Sequence, residues 1–411
     1  MSEEFTNVKK VKYPELMPLW IGLFVDILGF YVIIPFLATF IVVFETTPLV
    51  IGLVLATNAM FTLVSAPIWG RLSDRFGRKP ILIISQLGTF SAFLMLAFTD
   101  SIEMLFLARM VDGIFGGNFP MVKAIISDQV PPKDRSLQMT NIGVAHVLAG
   151  LVGPGLGGIL SLIRILGSEY PVATVGLAAA GLSFTSLLIT IFFVRESWPK
   201  DRRMKMEKVI KTKVKIRKNK DATYLLTLYT FHTFSFIMYI STMVIYIGYI
   251  LGLGTLEIGL LLTISGLFRA IVRFSLFKPT LRLLGEKNMT RLGLFILVLT
   301  FFVAGFVQDV FMLLILMLIV SYGVSCSRGL LISKITQSVT PKEQGKINGI
   351  TTTLDSFAMI GGPIIGALLL TIYSPHWWGI VMGLIALMAF LMVFKKIIPL
   401  HLKEQQLQIR R

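Results

Sequence analysis

The chain reads Gly70-Arg-Leu-Ser-Asp74-Arg75-Phe-Gly77-Arg78-Lys79-Pro80 between two long apolar runs. Glycines at Gly70 and Gly77 permit a tight turn. Asp74 can pair with neighbouring bases or lie at a helix N-terminus, where the helix dipole favours negative charge. The stretch therefore predicts a short, basic connection between two helices.

Apolar runs continue on both sides of this connection along the whole chain of 411 residues. The hydrophobic fraction is 55%, the charged fraction is 15% and the mean hydropathy is +0.79, which indicates lipid as the solvent. A helix needs about 20 mostly apolar residues to cross a membrane. Twelve runs meet that length: 17–43, 48–70, 80–99, 102–128, 137–163, 170–194, 222–247, 256–281, 288–306, 310–337, 346–373 and 376–398. We expect an all-α membrane protein with twelve transmembrane helices.

The formal net charge of +17 is unevenly placed among the connections. On one side Arg164 is the only base, against the acids Glu45, Asp100, Glu103, Glu169, Glu257 and Asp309. The other side holds the remaining bases, among them Lys9, Lys10, Arg71, Lys133, Arg282, Lys342 and Lys395. Membrane proteins keep Lys and Arg in the cytoplasm, so we expect a multi-pass cell-membrane protein with both termini cytoplasmic. The same distribution argues against a nucleic-acid partner.

The two halves of the sequence repeat each other. A shift of 209 residues aligns residues 130–160 with residues 339–369 without a gap. The matches include Pro132/Pro341, Ala149/Ala358, Gly153/Gly362, Pro154/Pro363 and Gly157/Gly366. Eleven Lys or Arg between Lys200 and Lys220 mark a basic linker. We expect a six-helix half over 1–195, a cytoplasmic linker over 196–221 and a second six-helix half over 222–411, with a site at the midplane between the halves.

The Gly70–Pro80 connection resembles the signature loop of the major facilitator superfamily. The resemblance covers nearly the whole chain. In the two-repeat architecture, rocking of one six-helix half against the other would give alternating access. The cytoplasmic signature loop here consists of Gly70, Asp74, Arg75, Gly77, Arg78 and Lys79. The resemblance implies that Asp74 and Arg78 take part in a charge network that closes the cytoplasmic side and breaks when that side opens. The alternative is a basic turn that only fixes topology.

The predicted fifth span contains small residues at spacings of three and four, namely Gly150, Gly153, Pro154, Gly157 and Gly158. That spacing predicts one smooth helix face on which a second backbone can approach closely, and Pro154 permits a bend. The run resembles the antiporter signature of drug:proton exchangers, including tetracycline exporters, and so implies export. Ordinary helix packing is the alternative, because a partial copy occurs at Gly361–Gly366.

Charged residues within the predicted spans are candidates for proton coupling. Asp26 lies near the midplane of the first span, where an ionisable group costs roughly 2.5 kcal/mol or more, so it should face a cavity or a partner. Its spacing from Gly29 and Pro35 is similar to that of tetracycline-type exporters, which implies a proton carrier; a structural salt bridge is the alternative.

Arg109 and Asp112 share a face of the fourth span. Their run resembles the family's fourth-helix motif, whose arginine is implicated in proton coupling. The acid at Asp112 departs from that motif, so either Asp26 or Asp112 can be the carrier, and a permanent Arg109–Asp112 ion pair is a further alternative.

Other polar residues within the spans are candidates for lining a substrate cavity: Tyr31, Asn58, Asn141, His146, His232, Tyr239, Arg269 and Asp355. Packing roles are the alternative for each of them. Zinc-binding histidine spacing, a nucleotide-binding glycine loop and a nucleophile motif are absent from the sequence. We therefore expect no metal, no cofactor and no enzymatic activity.

These observations favour a secondary active transporter that exchanges a small apolar or amphipathic molecule, drug-like in character, for protons. A proton symporter or facilitator for a metabolite is the main alternative. A membrane sensor that has kept the transporter fold is less favoured. The expected partners are the substrate, protons and the lipid bilayer, with the protein acting as a monomer.

Overall fold

The computed structural model describes residues 13–163, 165, 172–199, 219–340 and 343–395. Regular secondary structure within these ranges is entirely helical. Most of the predicted basic linker, including Lys200–Lys218, lies outside the described residues, as do Lys9, Lys10 and Arg164.

Fourteen α-helices occur in the described ranges. In chain order they are α1 Met17–Ile33, α2 Thr39–Val43, α3 Pro48–Phe76, α4 Arg78–Ala97, α5 Ile102–Ile114, α6 Asn118–Gln129, α7 Pro132–Leu160, α8 Ala173–Phe193, α9 Lys220–Tyr249, α10 Thr255–Ile271, α11 Phe277–Ala304, α12 Val310–Gln337, α13 Gln344–Ile372 and α14 Pro375–Met392.

Ten helical segments of the described chain are long and apolar enough to cross a membrane. One of them, Thr255–Ala304, contains two predicted spans, which are joined through a π-helical turn, Val272–Leu276, and through Gly285. The predicted fourth span is a further crossing that is divided into α5 and α6. The all-helical membrane fold is therefore confirmed.

Several predicted span limits are wrong. The prediction of an uninterrupted fourth span over 102–128 fails, because the chain leaves helical geometry between Ile114 and Asn118. The second span extends to Phe76, beyond the predicted limit at residue 70, and the fifth begins at Pro132, before the predicted 137. Polar residues continue these two helices beyond the apolar run, which a search for apolar residues does not detect.

The two halves pack in the same pattern. Within the first half α7 packs against α1, and within the second half α13 packs against α9. Across the boundary α7 packs against α10, and α13 packs against α3. The fifth helix of each half thus contacts its own first helix and the second helix of the other half.

Glycines permit the close approach across this boundary. A Cβ atom at Gly52 on α3 would lie 2.6 Å from the carbonyl oxygen of Pro363 on α13, and one at Gly259 on α10 would overlap the carbonyl oxygen of Pro154 on α7. Because Pro154 and Pro363 are repeat-equivalent, the same glycine–proline contact occurs twice, once on each side of the interface.

The helix bundle has two ends, which we name by their residues. We call the end with Phe76, Arg78 and Lys220 the linker end, and the end with residues 44–47, 98–101 and 250–254 the distal end. At the distal end the hydroxyls of Thr39 and Thr255 are 2.7 Å apart, and the backbone N–H of Leu49 donates to Thr371 Oγ1 over 2.9 Å. Hydrogen bonds at the distal end therefore join the first half to the second.

Candidate functional site

The interruption of the fourth span sets the geometry of the first-half site. A broken helix leaves backbone carbonyls without partners, which a membrane protein tolerates where neighbouring groups satisfy them. Side chains of α3 and α4 supply the missing donors. Ser65 Oγ donates to the carbonyl of Gly113 (2.8 Å), the Trp69 indole donates to that of Ile114 (2.6 Å), and Ser85 Oγ donates to that of Phe115.

Asn118 begins α6, directly after the interruption, and meets Asp26 of α1. Its Nδ2 donates to Asp26 Oδ2 over 2.7 Å, while Asp26 Oδ1 is buried without a hydrogen-bond partner. No ion pair to Asp26 occurs among the described residues. Asp26 therefore lies in the protein interior with an amide partner at the N-terminus of a half-helix, where the dipole favours negative charge.

Arg109 and Asp112 lie beside this pair on α5. Arg109 Nη1 is 3.4 Å from Asp112 Oδ2, and the same oxygen accepts a hydrogen bond from Asn58 Nδ2 over 2.8 Å. The Nε and Nη2 atoms of Arg109 are buried without hydrogen-bond partners. Asp112 is close enough to Asp26 to act on it electrostatically. We call Asp26, Asn58, Arg109, Asp112 and Asn118 the buried charge cluster.

Charged residues also form a network at the linker end. Arg78 Nη1 is 2.6 Å from Asp74 Oδ1, and Arg78 Nε donates to Asp128 Oδ2 over 3.0 Å. Glu196 accepts hydrogen bonds from the backbone N–H groups of Arg78 and Lys79 at the start of α4. Gly77, with a φ of +108°, makes the turn that brings these groups together, and Gly285 with a φ of +70° makes the corresponding turn in the second half.

The glycines of α7 form two faces, which corrects the expectation of one. A side chain at Gly153 would overlap Tyr31, and one at Gly157 would overlap the carbonyl of Val32, both on α1. Gly158 and Gly155 instead face α10, where a Cβ atom at Gly155 would lie 2.7 Å from Thr263 Oγ1. Residues three or four positions apart are neighbours on a helix surface, so their spacing alone does not show whether they form one face or two.

Gly150 contributes to both contacts of α7. A Cβ atom there would lie 3.3 Å from the Tyr31 ring. The Gly150 carbonyl, whose helical donor is removed by Pro154, faces Gly266 of α10. α7 is therefore packed closely on two sides, once within its half and once across the boundary.

A cavity lies between the halves, and four of the eight predicted cavity residues line it: Tyr31, His146, Tyr239 and Arg269. The other four lie elsewhere in the described structure. Asn58 belongs to the buried charge cluster, and Asn141 donates to Gln138 Oε1 over 3.1 Å. His232 is buried with both ring nitrogens unpartnered. Asp355 accepts from Tyr229 Oη over 2.8 Å and lies 3.4 Å from Arg328 Nη2.

Sequence reasoning missed the partners of these candidates. Asn118 was not singled out, although Gly116 and Gly117 before it and Pro120 after it are typical of a helix that ends and restarts. Asp128 and Glu196 lie far along the chain from the Gly70–Pro80 connection, and no local pattern marks them as its partners.

The chain belongs to the major facilitator superfamily, whose family model matches residues 19–278 and 225–408. It is 27% identical to the class H tetracycline resistance protein of Pasteurella multocida over 80% of this chain and 81% of that protein. It is 32% identical to the multidrug resistance protein MdtG of Proteus mirabilis over 44% of each chain. The fold is also that of a D-xylose–proton symporter crystal structure, with a TM-score of 0.74 at 15% identity over 93% of this chain and 97% of the other.

Proposed function

We propose that this protein is a proton-coupled antiporter that exports small apolar or amphipathic molecules by alternating access. The observation that carries the proposal is the Asp26–Asn118 pair, a buried carboxyl with one oxygen free and no counter-ion among the described residues. A carboxyl inside a membrane protein is far less costly when protonated. Asp26 can therefore take up a proton when water reaches it and carry that proton through a conformational change.

Arg109 gives the cluster a way to hold the deprotonated state. Two of its nitrogens have no partner, and its 3.4 Å contact with Asp112 is long for a charge-assisted hydrogen bond. Arg109 can stabilise whichever carboxylate of the cluster has lost its proton. Asp112 is the second candidate carrier, because it lies in the same cluster.

The packing of the halves supports rocking as the transport motion. The glycine–proline contacts and the Thr39–Thr255 hydrogen bond join the halves without an ion pair, so separating them there leaves no buried charge unpaired. The positive-inside distribution assigns the linker end to the cytoplasm. The structure then corresponds to a state in which the outer side is closed.

Export is the direction supported by the relatives and by the glycines of α7. One relative is named a multidrug resistance protein and another a tetracycline resistance protein. Both names describe resistance proteins, and removal of a toxic molecule from the cell requires outward transport.

The test is Asp26→Asn in proteoliposomes that hold a pH-sensitive dye. Tetracycline and a panel of amphipathic dyes are screened first, and a compound that the wild-type protein transports is used throughout. We expect substrate-linked proton movement to disappear while the variant remains folded and inserted. Asp100→Asn, at an exposed distal residue, is the matched control and should retain coupling.

The outcomes separate the alternatives. Full coupling in Asp26→Asn, together with loss of coupling in Asp112→Asn, would identify Asp112 as the proton carrier. Full coupling in both variants would overturn the assignment. A proton gradient is then imposed across the membrane. Net movement of substrate in the same direction as the protons would indicate a symporter, whereas movement in the opposite direction indicates an antiporter.

A further inference from the structure

The cavity between the halves combines an apolar wall with a few polar groups. Its apolar side chains include Met243, Val244, Leu262, Met317 and Val320. The polar groups include Tyr31 from the first half and Tyr239, Ser265 and Arg269 from the second. Such a wall suits a molecule with an apolar body and one polar end.

Arg269 has no acidic partner in the part of the chain that the structure describes. Charged side chains inside a membrane are costly and usually pair with each other. Two other arginines within the spans do so, Arg109 with Asp112 and Arg328 with Asp355. Arg269 therefore places an unmatched positive charge on the cavity wall.

A second arginine and an exposed lysine lie near the cavity, although Asp355 pairs with the arginine, Arg328. The Arg328 guanidinium lies 6.0 Å from the ring centre of Phe236, which lines the cavity. Both Arg328 and the exposed Lys123 of α6 are close enough to His146 to act on it electrostatically.

The described acids do not balance the charge of Arg269. Asp355 uses both carboxylate oxygens, one towards Arg328 and one for the Tyr229 hydroxyl. Asp26 and Asp112 are enclosed in the buried charge cluster and are not among the residues that line the cavity. Arg269 is therefore an unbalanced positive charge in the lining of the cavity in the described structure.

Tyr239 provides a second, independent indication. Its hydroxyl oxygen is buried without a hydrogen-bond partner, although the residue lines the cavity. Ring contacts with Phe301 and Trp378 hold it in place. Arg269 is close enough to act electrostatically on this hydroxyl. A guanidinium and a phenol are both donors, and together they suit the oxygens of a carboxylate or sulfonate.

We propose that the substrate is an amphipathic anion whose acidic group binds Arg269 and Tyr239 and whose apolar body packs against the cavity wall. This inference rests on the proposed transport function and narrows it to a class of substrate.

Substrate charge also changes the energetics of exchange. Export of one monoanion for one inward proton moves two positive charges inward, whereas exchange of a neutral molecule moves one and exchange of a monocation moves none. An inside-negative membrane potential therefore drives export of an anion more strongly than export of a neutral or cationic molecule of the same shape.

The experiment compares two probes with the same ring skeleton, 1-anilinonaphthalene-8-sulfonate and the neutral N-phenyl-1-naphthylamine. Binding to the purified full-length protein in neutral detergent is measured by calorimetry, and each probe is corrected for partition into empty micelles. We expect the wild-type protein to bind the sulfonate about tenfold or more tightly than the neutral probe, because one charge-assisted contact is gained. Arg269→Gln should remove this preference, and Arg269→Lys should retain part of it.

Two control variants make the result specific. Arg282→Gln removes an exposed arginine of α11 and should keep the preference for the sulfonate. Tyr239→Phe should reduce it while the protein remains folded. Equal binding of the two probes by the wild-type protein, or an undiminished preference in Arg269→Gln, would overturn the proposal.

The measurement uses no proton gradient and so does not depend on coupling. A preference for the anion in a protein that shows no proton exchange would leave the substrate class standing and remove only the antiport mechanism. Proton-coupled export of a neutral or cationic compound, without binding of the anion, would leave the antiport mechanism standing and remove the proposed substrate class.

Discussion

Asp26, the proton carrier that we propose, is an ionisable residue within a membrane span. A carboxyl in the first span would be unfavourable against lipid, but here it is buried in protein and held by Asn118. That hydrogen bond leaves Oδ1 free, so the group is positioned and still able to bind a proton. The amide suits this role better than a base would, because a permanent cation would hold the carboxyl ionised.

Removal of the amide tests this arrangement. In Asn118→Ala we expect proton-linked transport to fall by about tenfold to a hundredfold, since a hydrogen bond to a charged group contributes roughly 1.5–3 kcal/mol. Substrate-dependent proton flux in proteoliposomes is the measurement. Thr89→Val is the matched control, because Thr89 Oγ1 makes only a 3.5 Å contact with the same Asn118 nitrogen. Wild-type flux in Asn118→Ala would show that the amide does not support the carrier.

The charge network at the linker end joins separate helices of the first half. Arg78 is buried and shared between Asp74 and Asp128, so the connection after α3 is tied to the end of α6. These contacts lie within the first half. They join the start of α4 to the end of α6 at the linker end of that half.

At the scale of elements, α7 has the central position in the packing. One glycine face meets α1 and the other meets α10, so the same helix joins its own half and borders the opposite one. The repeat-equivalent α13 has the corresponding position between α9 and α3. Small residues suit both interfaces, because backbones in close contact can slide without large side chains interlocking.

A bulky residue on the first of these faces should damage transport. In Gly153→Leu the new side chain overlaps Tyr31, so we expect transport to fall at least about tenfold and thermal stability to decrease by about 1–3 kcal/mol, the usual cost of overpacking. Transport in proteoliposomes and thermal unfolding in detergent are measured together.

Gly143→Leu provides the comparison for this helix. Gly143 is also on α7, is exposed and has no atom within 4 Å of an added Cβ. The two variants introduce the same side chain into the same helix, so a difference between them reports the packing face. Equal activity in both would make the close approach to α1 incidental.

For the whole molecule, the central question is whether the distal end opens. Thr39 and Thr255 belong to different halves and their hydroxyls are 2.7 Å apart. Replacing both with cysteine in a Cys326→Ser background leaves one possible disulfide within the chain, because Cys326 is the only natural cysteine. We expect oxidation to link the halves and stop transport, and a reductant to restore it.

Single-cysteine variants control for this cross-link. Thr39→Cys alone and Thr255→Cys alone, treated with the same oxidant, should keep their transport rates. Undiminished transport by the fully cross-linked protein would show that separation of the halves at this point is not part of the cycle.

Much of the architecture could be predicted because it depends on local patterns. Apolar length indicates a span wherever it occurs, and the 209-residue repeat shows that the halves are alike. The Gly70–Pro80 connection and the glycines of the fifth span indicated the superfamily, which the family model confirms. Gly77 and Gly285, which make corresponding turns in the two halves, both have a positive φ.

The partners in the site could not be predicted in this way. The Asp26–Asn118, Arg78–Asp128 and Gly259–Pro154 contacts join residues that are distant in the sequence, and they form only when separate helices pack. Composition and spacing predicted a twelve-helix membrane protein, and the resemblance of two motifs to a known family indicated a transporter. Packing of the helices decided which polar residues are enclosed in the buried charge cluster and which, like Arg269, line the cavity. Side-chain contacts depend on how the helices are rotated against each other, and spacing along the chain does not determine that rotation.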